Sequence, residues 1–189
     1  ISAWTWTEVS PLERHYYKHN LKNGKKVKIT KEHGTHNVLP SASGKYFLDN
    51  YSSTDVARNV DIADAKGNFV KRLHEAVDPL KDYNIGTIEL GELKAEDGQT
   101  LYTRMIKPYN FDENKKYPVI IYVYGGPHAQ MITDNWTADA GIYLHYLSQE
   151  GFIVFTLDNR GSADRGEAFE QVIHRQCGQA EMKIPQKHG

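Results

Sequence analysis

The residues of this chain best placed for chemistry follow a single apolar run. Residues 117–124 read Tyr-Pro-Val-Ile-Ile-Tyr-Val-Tyr and lead directly into Gly125-Gly126-Pro127. Such a run reads as a strand covered on both faces, so the glycines would lie at its carboxyl end. Glycine lets backbone pass close to a substrate. Donors aimed at a carbonyl oxygen there would stabilise the charge that develops in acyl transfer, by roughly 3–4 kcal/mol each. A plain tight turn between strand and helix would use the same three residues, and the loop alone does not decide between the two. No nucleophile accompanies it, because no serine stands in Gly-x-Ser-x-Gly. Ser162 follows Gly161, but the second glycine two positions on is absent and no strand leads straight into it.

The other reactive side chains read as structural. His33 and His36 have a metal-like spacing without a third or fourth ligand to match, which suggests a surface loop and no metal. Lys22, Lys25, Lys26, Lys28 and Lys31 form a basic run, but Lys26 and Lys28 alternate with Val27 and Ile29, as on the wet face of a strand. Cys177 is the single cysteine, so no internal disulfide can form. The net charge of −1 supplies no electrostatic attraction for nucleic acid. The longest apolar stretch is too short to span a bilayer as a helix. Asn50-Tyr51-Ser52 and Asn135-Trp136-Thr137 fit the glycosylation triplet, which matters only in a secreted eukaryotic protein.

The first half of the chain repeats. A shift of about 43 residues lays Trp4-Thr5-Trp6-Thr7 on Phe47-Leu48-Asp49-Asn50, Tyr16 on Asn59, Gly24 on Gly67 and Val27 on Val70. Each copy reads as strands separated by turns, with Asn23-Gly24 and Lys66-Gly67-Asn68 as hairpin signals. Eleven per cent aromatic residues, twelve of them tyrosine, favour strands over a helix bundle. A period of about 43 residues with four short strands is that of a β-propeller blade; a generic antiparallel meander is the plainer alternative. Fewer than two blades are visible, so most of such a domain would lie upstream.

The pattern changes near Gly86. Residues 87–93 and 100–106 alternate as two strands around the turn Glu96-Asp97-Gly98. The apolar run and glycine loop follow. Trp136, Ala140, Tyr143, Leu144 and Leu147 then fall on one helical stripe, which Gly151 is suited to end. Residues 152–157 form a second buried strand, closing on Asp158-Asn159-Arg160-Gly161, and a further helix is expected over 166–174 with Phe169, Val172 and Ile173 apolar. Hairpin, buried strand, glycine loop, helix and buried strand is the opening of an α/β-hydrolase sheet, in which that glycine loop helps form the oxyanion hole. The fold class expected is therefore mixed β and α/β. C-terminal blades of a β-propeller (1–75) are followed by the N-terminal part of an α/β-hydrolase domain (76–182). An atypical tail (183–189) ends the chain, with Pro185 breaking any helix. In this fold the nucleophile, acid and histidine follow in that order, and all three are expected beyond Gly189.

The chain resembles the dipeptidyl peptidase IV branch of the prolyl oligopeptidase superfamily, particularly its bacterial members, continuously to about Met182. The most specific matches are Thr7-Glu8-Val9-Ser10-Pro11-Leu12-Glu13-Arg14-His15, Tyr117-Pro118 through Tyr122-Val123-Tyr124-Gly125-Gly126-Pro127-His128, and Asp158-Asn159-Arg160-Gly161-Ser162. The resemblance implies an eight-bladed propeller before a hydrolase domain, and removal of Xaa-Pro or Xaa-Ala dipeptides from peptide N-termini. It gives Tyr124 a role as an oxyanion-hole donor beside the substrate loop Gly125, Gly126 and Pro127. It implies peptide substrates and allows a homodimer; it calls for no cofactor, no metal and no nucleic acid, and its bacterial members are periplasmic or in the cell envelope. Cys177 departs from the family, which has an apolar residue there. A related prolyl endopeptidase, an acylaminoacyl peptidase, or an inactive propeller–hydrolase homologue acting as a binding module remain alternatives.

Overall fold

The computed structural model describes residues 2–6, 8 and 10–181, the first five by their backbone alone. The atypical tail 183–189 lies outside the described residues. The chain divides into two compact units, one of residues 1–79 with 133–139 and one of residues 80–132 with 140–189.

The first unit is antiparallel sheet throughout. Strands β1 (Ser2–Trp6), β2 (His15–His19) and β3 (Lys26–Lys28) form one sheet; β4 (Thr35–Pro40), β5 (Tyr46–Ser53), β6 (Val56–Asp64) and β7 (Phe69–Glu75) form a second, each paired with its chain neighbour. The sequence repeat lays β1, β2 and β3 onto β5, β6 and β7, and the turn glycines Gly24 and Gly67 both take positive φ. Sheets of this kind agree with propeller blades. Alternation along β5 and β6 turns Phe47 and Ala63 inward, where they meet Ile29 with Tyr16 and Val38 at the margin. His36 does not sit on a surface loop. It lies on β4, 2% exposed, because its ring finds a polar partner on each side.

The second unit is built on four strands in the order β10-β11-β9-β8. β8 (Thr87–Lys94) and β9 (Thr100–Lys107) form the expected hairpin; β10 (Val119–Tyr122) and β11 (Ile153–Leu157) are parallel, and β11 runs antiparallel to β9. Successive side chains of a strand face opposite sides, so Leu101 and Ile106 serve different cores. Leu101 meets Leu157, Ala95 and Phe169 on one face, Ile106 meets Val154, Leu144 and Ala140 on the other. Burying each of these large side chains contributes about 1.5–3 kcal/mol. Helix α1 (Ile142–Gln149) thus covers one face, and the short α2 (Glu167–Glu170), extended by a 3-10 turn Gln171–Ile173, covers the other.

Three expectations need correction. The helix does not begin at Trp136: Thr137, Ala138 and Asp139 all have positive φ, which a right-handed helix does not tolerate, so a left-handed turn forms there and α1 starts at Ile142. Tyr143 is then exposed, and Leu144, His145 and Ser148 form the buried stripe. The apolar run 117–124 gives a strand of only four residues, and Val119, Ile121, Tyr122 and Val123 are exposed. Its position at the edge of the sheet leaves it without the cover that its composition anticipates. The helix over 166–174 is split into two short turns, though Phe169 and Ile173 are buried as its pattern requires.

Candidate active site

Parallel strands bring their carboxyl ends to the same edge of a sheet, where α/β folds place their ligands. Tyr122 on β10 is in register with Thr156 on β11, and Thr156 with Arg104 on β9. Two residues beyond that row, Tyr124 follows β10 and Asp158 follows β11. The two loops that leave the strands from these points are laced together. His128 donates its backbone N–H to the Gly161 carbonyl (3.2 Å), and Ala163 donates to the Ala129 carbonyl (3.4 Å). Asp158 accepts from two successive amides of the glycine loop, Met131 N–H at Oδ1 (2.8 Å) and Ile132 N–H at Oδ2 (3.1 Å).

Tyr124 stands 58% exposed at the mouth of this arrangement. Its ring folds over Gly126, where an added Cβ would meet the ring Cε1 at 2.8 Å. Gly125, at φ 68°, makes the turn that allows it. Pro127 follows, and the His128 ring bonds to Glu170. Tyr122, on the edge strand β10, is 42% exposed.

The Asp158-Asn159-Arg160-Gly161-Ser162 stretch acquires a physical job that its sequence did not disclose. Ser162 is buried, and its hydroxyl donates to the Asn159 carbonyl (2.7 Å), closing a tight turn. Gly161, at φ 98°, lies against Ile173 with no room for a side chain. Arg160 pairs with Asp97 and lies over the Phe169 ring. Asp158 is buried, and burial pushes its carboxyl up to about 6, against the opposing pull of the two amides and of the Arg104 and Arg165 guanidiniums.

Sequence reasoning overlooked Arg104. It is 1% exposed, and donates to the Met131 carbonyl (2.9 Å) and to Thr156 Oγ1 (3.2 Å). An arginine between Thr103 and Met105, in a strand whose neighbours are buried, was the available signal: a buried charge requires a partner. The loop is therefore held by opposite charges, with Asp158 on its amides and Arg104 on a carbonyl. Among the described residues no group of three or more metal-binding side chains gathers.

Residues 4–58 match the family model for the dipeptidyl peptidase IV N-terminal region, and residues 139–183 that for the prolyl oligopeptidase family. Mouse dipeptidyl peptidase 8 is 29% identical over 187 residues, which cover 93% of this chain and 21% of that protein. Dipeptidyl peptidase 4 of Trichophyton equinum is 26% identical over 182 residues, covering 93% and 24%. Among solved structures, a Bacteroides ovatus protein described as a dipeptidyl aminopeptidase IV superposes with a TM-score of 0.86 at 40% identity, over 92% of this chain and 25% of that one. Porphyromonas gingivalis dipeptidyl peptidase 4 follows at 0.81 and 29%, over 90% and 24%. The chain thus spans about a quarter of the length of these relatives. With the blade-like sheets, the hydrolase-type sheet and the laced loops in one polypeptide, the chain is similar to a piece of the dipeptidyl peptidase IV-like serine peptidases of the prolyl oligopeptidase family.

Proposed function

We propose that this chain works as part of a longer serine exopeptidase that releases Xaa-Pro or Xaa-Ala dipeptides from peptide N-termini. The observation that carries this reading is the placement of Tyr124, at the carboxyl edge of the hydrolase-type sheet on a loop held from both sides. As the nucleophilic serine oxygen bonds to the scissile carbonyl carbon, the carbonyl π electrons move to oxygen. The Tyr124 hydroxyl donates a hydrogen bond to that oxygen, and the bond strengthens as the charge develops. Gly125 and Gly126 let the substrate carbonyl come close, and Pro127 stiffens the exit of the loop. The serine, its acid and its histidine come from residues outside this chain, and the open edge of β10 is where a further strand of the longer protein adds.

The test is hydrolysis of a Gly-Pro chromogenic substrate by the whole protein that carries this chain. We expect turnover that a serine-directed covalent inhibitor abolishes and that blocking the substrate's amino group prevents. Cleavage of N-acylated or internal prolyl substrates instead would point to the acylaminoacyl peptidase or endopeptidase reading. Absence of any turnover would favour a binding module. The 189-residue chain by itself is expected to be inactive, since an oxyanion donor without a nucleophile forms no acyl-enzyme.

A further inference from the structure

We infer that Asp158, with Arg104 as its counterpart, is a positioning residue that holds the Tyr124–Ile132 loop in its working conformation and releases it when the carboxylate is protonated. The inference rests on the function proposed above, with Tyr124 as oxyanion donor. Its structural half stands apart from that function.

The geometry is specific. A single carboxylate accepts from two consecutive amides, Met131 and Ile132, one on each oxygen. Only the ionised form presents a strong acceptor to both. A protonated carboxyl keeps a weakened acceptor at its hydroxyl oxygen, and an asparagine must turn an N–H donor toward one of the two amides. Arg104 grips the same residue through the Met131 carbonyl, so the 131–132 peptide is held by opposite charges, Asp158 on its N–H and Arg104 on its carbonyl, and the 130–131 peptide by Asp158. Six to seven residues before this double grip stand Gly125 and Tyr124, and the intervening His128 and Ala129 are bonded to the loop that Asp158 begins. A loop with two successive glycines has little stiffness of its own. Displacing a reacting group by about 1 Å costs on the order of 10²-fold in rate, so such a loop requires an external anchor.

The environment tunes that anchor to a useful range. The charged groups facing Asp158 are Arg104 on β9 and Arg165 on its own loop. Behind Arg104 lies His145 on α1, and around Arg165 lie Tyr102, Glu92 and Arg160. Burial outweighs the two cations and pushes the carboxyl to about 6, so the anchor is ionised at pH 8 and largely protonated at pH 5. Because the ionised form is the costly one to bury, Asp158→Asn need not lower global stability, and this separates positioning from scaffolding.

The experiment is hydrogen exchange at residues 128–132, together with kcat and KM for a Gly-Pro substrate, in the whole protein that carries this chain. In the wild type, we expect protection at Met131 and Ile132 to fall about tenfold between pH 8 and pH 5 after correction for intrinsic rates. In Asp158→Asn, protection should be low and independent of pH. Its kcat should fall roughly 10–50-fold at pH 8, with KM within threefold and the melting temperature within a few degrees. Arg104→Gln should loosen the segment while keeping its pH dependence. Asp158→Asn with normal kcat, or with unchanged protection, would overturn the inference. So would a loss of activity matched by a general loss of stability. Should that variant fail to fold, a wild-type segment whose protection ignores pH between 5 and 8 is equally fatal. A protein that hydrolyses no Gly-Pro substrate defeats the functional reading, while the exchange data still decide the anchor.

Discussion

The two units bury histidine on different terms. In the first, His15 and His36 are almost wholly enclosed, and every ring nitrogen has a partner. His15 meets Thr30 Oγ1 (3.0 Å) and Glu13 Oε2 (2.6 Å), and His36 meets Asp49 Oδ2 (2.8 Å) and the Glu32 carbonyl (3.0 Å). The two rings lie 5.1 Å apart, and His36 stacks on Tyr51 at the same distance. In the second unit His145 is equally buried, yet neither ring nitrogen has a hydrogen-bond partner among the described residues, and Arg104 adds a like charge that opposes protonation. A sheet of regular strands offers polar groups at fixed spacings, so a histidine can be satisfied across several strands. The hydrolase-type sheet pairs Asp158 and Arg104 with its loop at the carboxyl edge, while under α1 His145 is buried beside Leu144 and Ser148 without such pairing. Polar groups thus specify the first unit's packing, whereas in the second they serve the site.

That contrast can be broken or sharpened. The largest effect is expected at the site itself. In the whole protein, Tyr124→Phe keeps the ring over Gly126 and removes the donor, so kcat should fall about 10²–10³-fold, with KM and melting temperature little changed. A Phe variant with near-normal kcat would make Tyr124 mere packing.

Next comes the first unit. His36→Leu removes the donor from Asp49 and leaves a buried carboxylate facing apolar surface; denaturant unfolding should show a loss of about 2–4 kcal/mol. A loss below about half a kcal/mol would mean that the polar ladder does not specify this packing. Smaller again is Gly126→Ala. The new methyl must displace the Tyr124 ring, and steady-state kinetics should show kcat down roughly 10–100-fold with unfolding unaffected, since the ring that moves is exposed.

The smallest change is the most diagnostic. His145→Leu replaces an unpartnered imidazole by an apolar group of similar size, so it should be neutral or stabilising by up to about 1 kcal/mol at pH 8. Burial lowers the His145 pKa below its ordinary 6.5. The wild-type residue's contribution is therefore fully present above that value and is lost as pH falls through the folded-state pKa. Thermal melts of wild type and variant should accordingly diverge further in acid, with the variant the more resistant. Convergence in acid would show that His145 has a partner the ring geometry conceals.

Much of this could be read from the chain, and for identifiable reasons. The repeat that lays Tyr16 on Asn59 and Gly24 on Gly67 marked equivalent strands and turns, because alternation and positive-φ glycines are local properties. The hairpin around Gly98 and the end of α1 at Gly151 were legible on the same grounds. The apolar character of residues 117–124 correctly marked a sheet strand, but composition could not say how much of its cover the chain supplies.

What the sequence by itself determined is the type and order of the elements, the glycine loop after β10 and the resemblance they carry, since each depends on residues near one another in the chain. The start of α1 escaped it, because the left-handed run at Thr137–Asp139 is imposed by contacts far along the chain. There Asp134 accepts from Thr54 N–H and pairs with His33, and Trp136 N–H bonds to Ser52 Oγ. The pairing of Asp158 with Met131 and Ile132, and of Arg104 with the same loop, likewise joins residues 26 to 27 positions apart. Only tertiary structure decided those, because a buried charge takes its meaning from the partner that folding brings to it.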